Sequence, residues 1–360
     1  MPEIWLNYGK TEVVLDIKAE NLDQTLDSQG TILNDSEIGQ KLDSIDITKP
    51  IELVVLNHSK LVKKTILKLF EKCELKSAPK PQIFTDKKII NLVKAGLPEE
   101  NSVSEFRNTE LSNSNLVFIS EMEFDGLFGF ESNATRLIKK FGNEQMLSAY
   151  EKRNGNLPTP GQENENVQIA QKFTDGFEIN AIEIAANSKG IVDLAVGHPS
   201  KTITVSKPFL NSAKKEVEKH RTLMISTGKD SSNDSLGKSL NSLWNCNGAI
   251  KDGGLGILLA ECKDGIGSEA IQQYIEGRMS LDRLKKPAKY VNGMEDLLFL
   301  TEIQKRFQVG LVSVLPEFYA KKLNITTFAG IKRAMDHVLK VQGIKQKVAV
   351  VSDGARLLLG

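Results

Sequence analysis

Two short polar stretches of this 360-residue chain hold side chains that could meet a small anion. The first is Asn57-His58-Ser59-Lys60, which follows the apolar run Ile51 to Leu56. It precedes a helical pattern with Val62, Ile66, Leu69, Phe70 and Cys73 on one face. A strand-to-helix junction is where open α/β sheets present ligands, outside the carboxyl ends of their strands. An imidazole and an ammonium there can contact a ligand or simply finish the turn, and the residues alone leave both readings open. The second is Lys238 with Asn241, three apart on one face near the start of a helix. That helix has an apolar stripe of Leu236, Leu240, Leu243 and Trp244. A helix start carries partial positive charge, so an anion could be held by the dipole and by Lys238; the other reading is a solvated lysine.

A third stretch, Asp252 to Gly267, reads as a glycine turn, a buried strand through Leu259, and a second glycine turn. Glycines at both ends of a strand permit close backbone approach, which makes the loop Glu261 to Ser268 a candidate ligand rim. Cys262 within it reads as a small buried hydrophobe.

Other common sites are excluded. His58, His198, His220 and His337 are too far apart in sequence for a metal-binding pair on one helix. His198 reads as a turn residue, His337 as a surface residue, and His220 as the C-terminal cation of a charged helix. Cys73, Cys246 and Cys262 lack metal-site spacing, so reduced structural thiols are expected and no metal. No Gly-x-Ser-x-Gly elbow occurs, and Gly237-Lys238-Ser239 lacks the upstream glycine of a phosphate loop. Gly253-Leu255-Gly256 precedes its strand and so fails the context of a dinucleotide fingerprint. With 47 Lys+Arg against 46 Asp+Glu, there is no electrostatic case for nucleic acid. No apolar run approaches the roughly 20 residues of a membrane helix. Residues 1–10 lack the basic start and apolar core of a secretory leader, so a cytoplasmic location is expected.

The elements that position these residues follow from the periodicity. The length favours two domains. A hairpin is expected from Ile4 to Ile17, then a polar stretch with one helix around Ser36 to Leu42. Strands are expected at 51–56, 82–85, 116–120, 179–186 and 191–196, with a helix from Ser132 and polar loops at 104–114 and 154–166. A helix over about 207–220 joins the halves, placing one domain at 1–218 and the other at 219–360. In the second, strands at 223–226, 255–259, 309–315 and 348–351 alternate with helices. The fold class expected is therefore α/β, with a mainly parallel sheet in the C-terminal domain.

Gly253-Gly254 before a strand, then Ala260-Glu261-Cys262-Lys263-Asp264-Gly265-Ile266-Gly267, resembles the nickel-pincer lactate racemase family. Val309 to Ser313, the helix near Ala334 and Val348 to Gly354 are also similar to it, as are the opening hairpin and the strand-to-helix junction. The resemblance spans nearly the whole chain. It implies a cleft between two domains in which hydrogen is removed from and returned to C2 of a 2-hydroxy acid. It also implies a nickel-bearing pyridinium cofactor tethered to a lysine and ligated by a histidine, with two more histidines as acid and base.

The residues depart from that pattern. Asn57-His58-Ser59-Lys60-Leu61 stands for the family's Asp-His-Thr-Arg-Pro, keeping a basic group but losing the carboxylate and the guanidinium. The family's Gly-x-His-Arg motif has no counterpart near Ile83 to Asp86. Asp125 falls where a catalytic histidine belongs, Thr135 where the tethering lysine belongs, and Ala149-Tyr150 near the nickel-ligand histidine. The substrate-binding Gln and Lys fall near Lys238 and Asn241, and Lys139 and Lys140 lie near the tether position. The resemblance thus implies a lactate-racemase-like protein acting on a 2-hydroxy acid with altered chemistry, an isomerase if active. Asn57, His58, Lys60, Lys238 and Asn241 would hold the anion, and Asp125 would replace the acid/base. The alternative is a catalytically inactive homologue that binds a small anion or a protein partner.

Overall fold

Residues 3–99, 101–107, 115–153 and 159–360 are described by a computed structural model. Parts of the two expected polar loops, 108–114 and 154–158, lie outside the described residues. Apolar runs alternating with amphipathic helices build two six-stranded sheets. The first has the order Ile191–Gly197, Asn180–Ala186, Leu116–Glu121, Glu52–Val55, Gln82–Thr85, Val103–Glu105. Only its Ile191–Gly197 edge is antiparallel. The second has the order Thr326–Phe328, Gln308–Val312, Ile250–Leu259, His220–Ser226, Val348–Val351, Leu22–Leu26 and is parallel throughout. Leu116–Glu121 and Val348–Val351 are buried along their whole length, as strands covered on both faces are.

The chain does not divide once at Glu218. Its opening hairpin, Glu3–Tyr8 with Thr11–Asp16, packs Leu6 and Leu15 against Met224, Ile257 and Val350 of the second sheet. Leu22–Leu26, within the stretch expected to be polar and irregular, pairs with Val348–Val351 as the edge strand of that sheet. The first 26 residues thus serve the C-terminal unit before the chain crosses to build the other. The joining helix also ends earlier than expected, at Ala213, and His220 opens a strand rather than closing a helix. Its buried imidazole meets Asp23 Oδ2 and Gln24 Nε2, each at 2.9 Å, so a hydrogen-bonded core position replaces the expected helix-end cation.

Four helices bear on the cleft between the sheets. Helix α1 (Lys60–Leu75) starts where the Ser59 hydroxyl accepts from the Val62 N–H at 3.1 Å. Helix α2 (Asn133–Phe141) starts on a capping box in which the Thr135 hydroxyl accepts from the Ser132 N–H at 2.7 Å. Helix α3 (Leu236–Cys246) buries its Leu236, Leu240 and Leu243 stripe. Helix α4 (Met294–Ile303) begins after Gly293, whose φ of 83° suits glycine, and carries Glu295 and Asp296 in its first turn, where the helix dipole favours acids.

Trp244 of α3 stacks on Phe299 of α4, with ring centroids 4.3 Å apart and planes 9° from parallel. The same indole lies over Gly126 of the first domain, where an added Cβ would come within 1.9 Å of the ring. Gly126→Ala is therefore expected to cost about 1–3 kcal/mol through overpacking between the two units. Urea denaturation checks this, and an unchanged midpoint would show that the contact is loose.

Candidate functional site

Between the two sheets lies a cavity of about 240 Å³. One wall comes from the first domain: Leu56, Asn57 and His58 after strand Glu52–Val55, the hairpin Glu123–Asp125 with Gly129–Glu131, and Arg136 and Lys139 of α2. The other comes from the second: Ser231 and Ser232, α3 with Lys238, Asn241 and Asn245, Gly267 and Ser268, and the start of α4. Several of these positions follow the carboxyl ends of parallel strands, which is where this class of fold leaves room for a ligand.

The first wall is a network of buried charge. The Lys139 ammonium donates to Asp125 Oδ2 at 2.5 Å and Glu131 Oε1 at 3.1 Å, and lies 3.8 Å from Glu295. Arg136 pairs with Glu123 and, at 3.1 Å, with Glu131. Against the penalty of burial, these cations pull Glu131 down to about 2. Against the same penalty, Asp125, Glu131 and Glu295 hold Lys139 protonated, its pKa well above the ordinary lysine value.

At α4 the balance reverses. Burial raises Glu295 even though the Tyr290 hydroxyl donates to it at 3.0 Å. Burial and the neighbouring Glu295 carboxylate raise Asp296 well above the usual carboxylate range. Burial likewise lowers His58; Lys238 and Lys63 add to that shift against the pull of Asp230 and Asp234.

Of the residues singled out in the sequence, Asn57, His58, Asp125, Lys238 and Asn241 line this one cavity. Lys60 does not join them. It opens α1, two residues after His58, and lines a second cavity with Trp5, Asp27 and Lys189. Asn57 faces the cleft, but its amide clasps the backbone of Glu121, donating to the carbonyl and accepting from the N–H at 2.9 Å each. Asp125 is similarly occupied: Oδ1 accepts from the Leu127 and Phe128 N–H groups at 2.8 and 2.6 Å, and Oδ2 from Lys139. Lys238 has no carboxylate partner among the described residues, unlike the other two cations of the lining. Of the loop Glu261 to Ser268, Gly267 and Ser268 reach the cavity. Cys262 is buried with its sulfur 3.7 Å from the Ser239 hydroxyl, and burial pushes its thiol up.

The sequence reading missed Glu131, Arg136, Glu295, Asp296 and Asn245. Asn245 had a signal, lying seven residues after Lys238 on the same face of α3.

No family model matches this sequence, and no curated protein does. Among solved structures, the chain is similar to the lactate racemase apoprotein from Thermoanaerobacterium thermosaccharolyticum. The two share 17% identity and a TM-score of 0.73, with 100% of each chain covered. A protein from Thermotoga maritima solved by structural genomics is similar at 12% identity and a TM-score of 0.65, covering 93% of this chain and 99% of that one. The fold is therefore lactate racemase-like, and at these identities the likeness speaks for the fold alone.

A lysine-tethered, histidine-ligated nickel group does not fit the residues present. Thr135 is fully buried with its hydroxyl spent on the start of α2. Ala149 and Tyr150 are buried, and the Tyr150 hydroxyl donates to the Leu284 carbonyl at 2.8 Å. Lys139 is held as an ammonium among carboxylates, the wrong form for a nucleophilic amine. Among the described residues no group of three His, Cys, Asp or Glu is arranged to hold a metal ion.

Proposed function

We propose that this is a lactate-racemase-like protein whose cleft binds the carboxylate of a 2-hydroxy acid, with chemistry that does not run through a tethered nickel group. One observation carries the reading. Lys238, which has no carboxylate partner among the described residues, stands in the first turn of α3 beside His58 and Asn241. An ammonium and an amide on one face of α3 together make a small-anion subsite, while the Leu236 and Gly237 N–H groups of the helix start already donate to the Gly265 and Ile266 carbonyls at 3.0 and 2.8 Å. Asn57 supports the site indirectly, since its clasp on Glu121 fixes the turn that presents His58.

Any acid–base step falls to His58 rather than Asp125. Burial favours the neutral imidazole, the form able to accept a proton, and no hydrogen bond to another described side chain occupies it. The bound Asp125 carboxylate favours the second reading, a homologue that binds without turning over.

Calorimetric titration of D- and L-lactate separates these ideas. Lys238→Ala is expected to weaken binding about tenfold or more, the loss of a charge-assisted contact. Affinity unchanged by that substitution would remove Lys238 from the site. Loss of the C2 hydrogen to deuterated solvent in wild type, and its absence in His58→Ala, would mark an active racemase. Binding with no exchange would mark the second reading.

A further inference from the structure

An unmet hydrogen-bond acceptor stands on the same helix face as the anion-binding residues. Asn245 lines the cleft cavity and is 2% exposed. Its amide nitrogen donates to the Gly354 carbonyl at 3.0 Å, and its Oδ1 has no donor among the described residues. A carbonyl only accepts, so the amide cannot be turned round to present its oxygen to Gly354. The Ser242 hydroxyl, three residues earlier on α3, is likewise without a partner and makes no bond to that oxygen. Buried acceptors are ordinarily satisfied, and leaving one unmet costs about 1–3 kcal/mol. Asn245 thus needs a donor, and the cavity that it lines is where one can be brought.

Spacing on the helix says what kind of molecule brings it. Asn241 precedes Asn245 by four residues and Lys238 precedes Asn241 by three, so all three share one face of α3. The Asn241 side chain also has no hydrogen bond among the described residues, and it lines the same cavity. Side chains four apart on a helix have Cβ atoms about 5–6 Å from each other. Two hydrogen bonds of about 2.8 Å to adjacent oxygens of one small molecule span that gap. A 2-hydroxy acid offers such a pair: a carboxylate oxygen, which only accepts, and the neighbouring hydroxyl, which donates. The Asn241 amide nitrogen suits the first and the Asn245 oxygen the second. A 2-keto acid offers two acceptors and would set its carbonyl oxygen against Asn245 Oδ1.

We infer that Asn245 is a specificity-determining residue: its Oδ1 accepts a hydrogen bond from the ligand's 2-hydroxyl, while Lys238 and Asn241 hold the carboxylate. The cleft therefore selects 2-hydroxy acids over 2-keto acids and over acids with no polar group at C2. The inference rests on the anion-binding reading of the cleft and adds the group that distinguishes one anion from another. His58 borders the same cavity, and its imidazole can also accept from a hydroxyl. The two acceptors are separated by substituting Asn245.

The test titrates the full chain calorimetrically with D- and L-lactate, pyruvate and propanoate. At least one lactate enantiomer is expected to bind about tenfold tighter than pyruvate or propanoate. Asn245→Ala should erase that preference. Equal affinities in wild type overturn the inference. A preference that survives Asn245→Ala assigns the hydroxyl to His58 and overturns it too. Because the substitution also removes the bond to Gly354, wild-type protein carrying isotope-labelled asparagine supplies a second reading. The Asn245 Cγ resonance is expected to shift on adding lactate and to stay in place on adding propanoate. A resonance unmoved by lactate overturns the inference even if the variant folds poorly. Equal binding of lactate and propanoate sinks the specificity and spares the anion site, whereas binding of no acid sinks both.

Discussion

Arg356→Ala lowers the unfolding free energy by about 3–5 kcal/mol, the cost of stripping a buried ion cluster of the cation that pairs with all three of its carboxylates. The guanidinium lies 2.7 Å from Glu121 of the first domain and 2.6 Å from Asp230 and 3.2 Å from Asp353 of the second. Its side chain is 13% exposed, so solvent screens the pairs little. Even with Arg356 in place, Glu121 Oε2 and Asp353 Oδ1 have no hydrogen-bond partner among the described residues. Three carboxylates left together therefore face desolvation and mutual repulsion at once. The consequence extends to the cleft, because Glu121 is the residue whose backbone Asn57 clasps, and Asp230 leads into Ser231 and Ser232. Arg356 thus ties the His58 wall to the Lys238 wall. Urea denaturation followed in both domains should show a lower midpoint in Arg356→Ala. Arg356→Lys, which keeps the charge but loses the fork, should fall between. A loss below about 1 kcal/mol, the size of a surface pair, would contradict the assignment.

Lys139→Met is the second large effect, again about 3–5 kcal/mol, since it leaves Asp125, Glu131 and Glu295 around an empty centre. Here the partners allow a sharper check. Adding Glu131→Gln to Lys139→Met should restore part of the loss. The coupling between the two sites should lie within the roughly 0.5–3 kcal/mol seen for residues of one network. Strict additivity would mean that the two side chains do not share an energetic unit. The same chemistry bears on function: a lysine serving three carboxylates is a structural cation, and removing it should damage stability before it damages ligand selectivity.

Much of the scaffold could be read without coordinates, and the failures have physical causes. Val348–Val351 and the α3 stripe were legible because four consecutive apolar residues, or apolar residues at helical spacing, have few alternative uses. Leu22-Asp23-Gln24-Thr25-Leu26 was not legible, because an edge strand buried at one end shows only two apolar residues. The run Lys214 to His220 imitates a charged helix, yet it is the surface approach to a buried strand. The cleft residues divide in the same way. His58 and Lys238 were legible as residues at element junctions. Lys60, two positions after His58, was not separable from it, yet it lines another cavity. Glu295 and Asp296 look like ordinary acids at a helix start, and only the packing of α4 onto α3 reveals that they line the cleft.

On the proposed reading the cleft is a small-ligand site on a lactate racemase-like scaffold, and its Lys139 is held in ion pairs with Asp125 and Glu131. The most direct measurement is the intact mass of the full chain produced together with enzymes that synthesise the nickel-pincer cofactor. The mass of the unmodified polypeptide is the predicted result. A stoichiometric covalent adduct on Lys139 or any other lysine of the cleft would contradict the account.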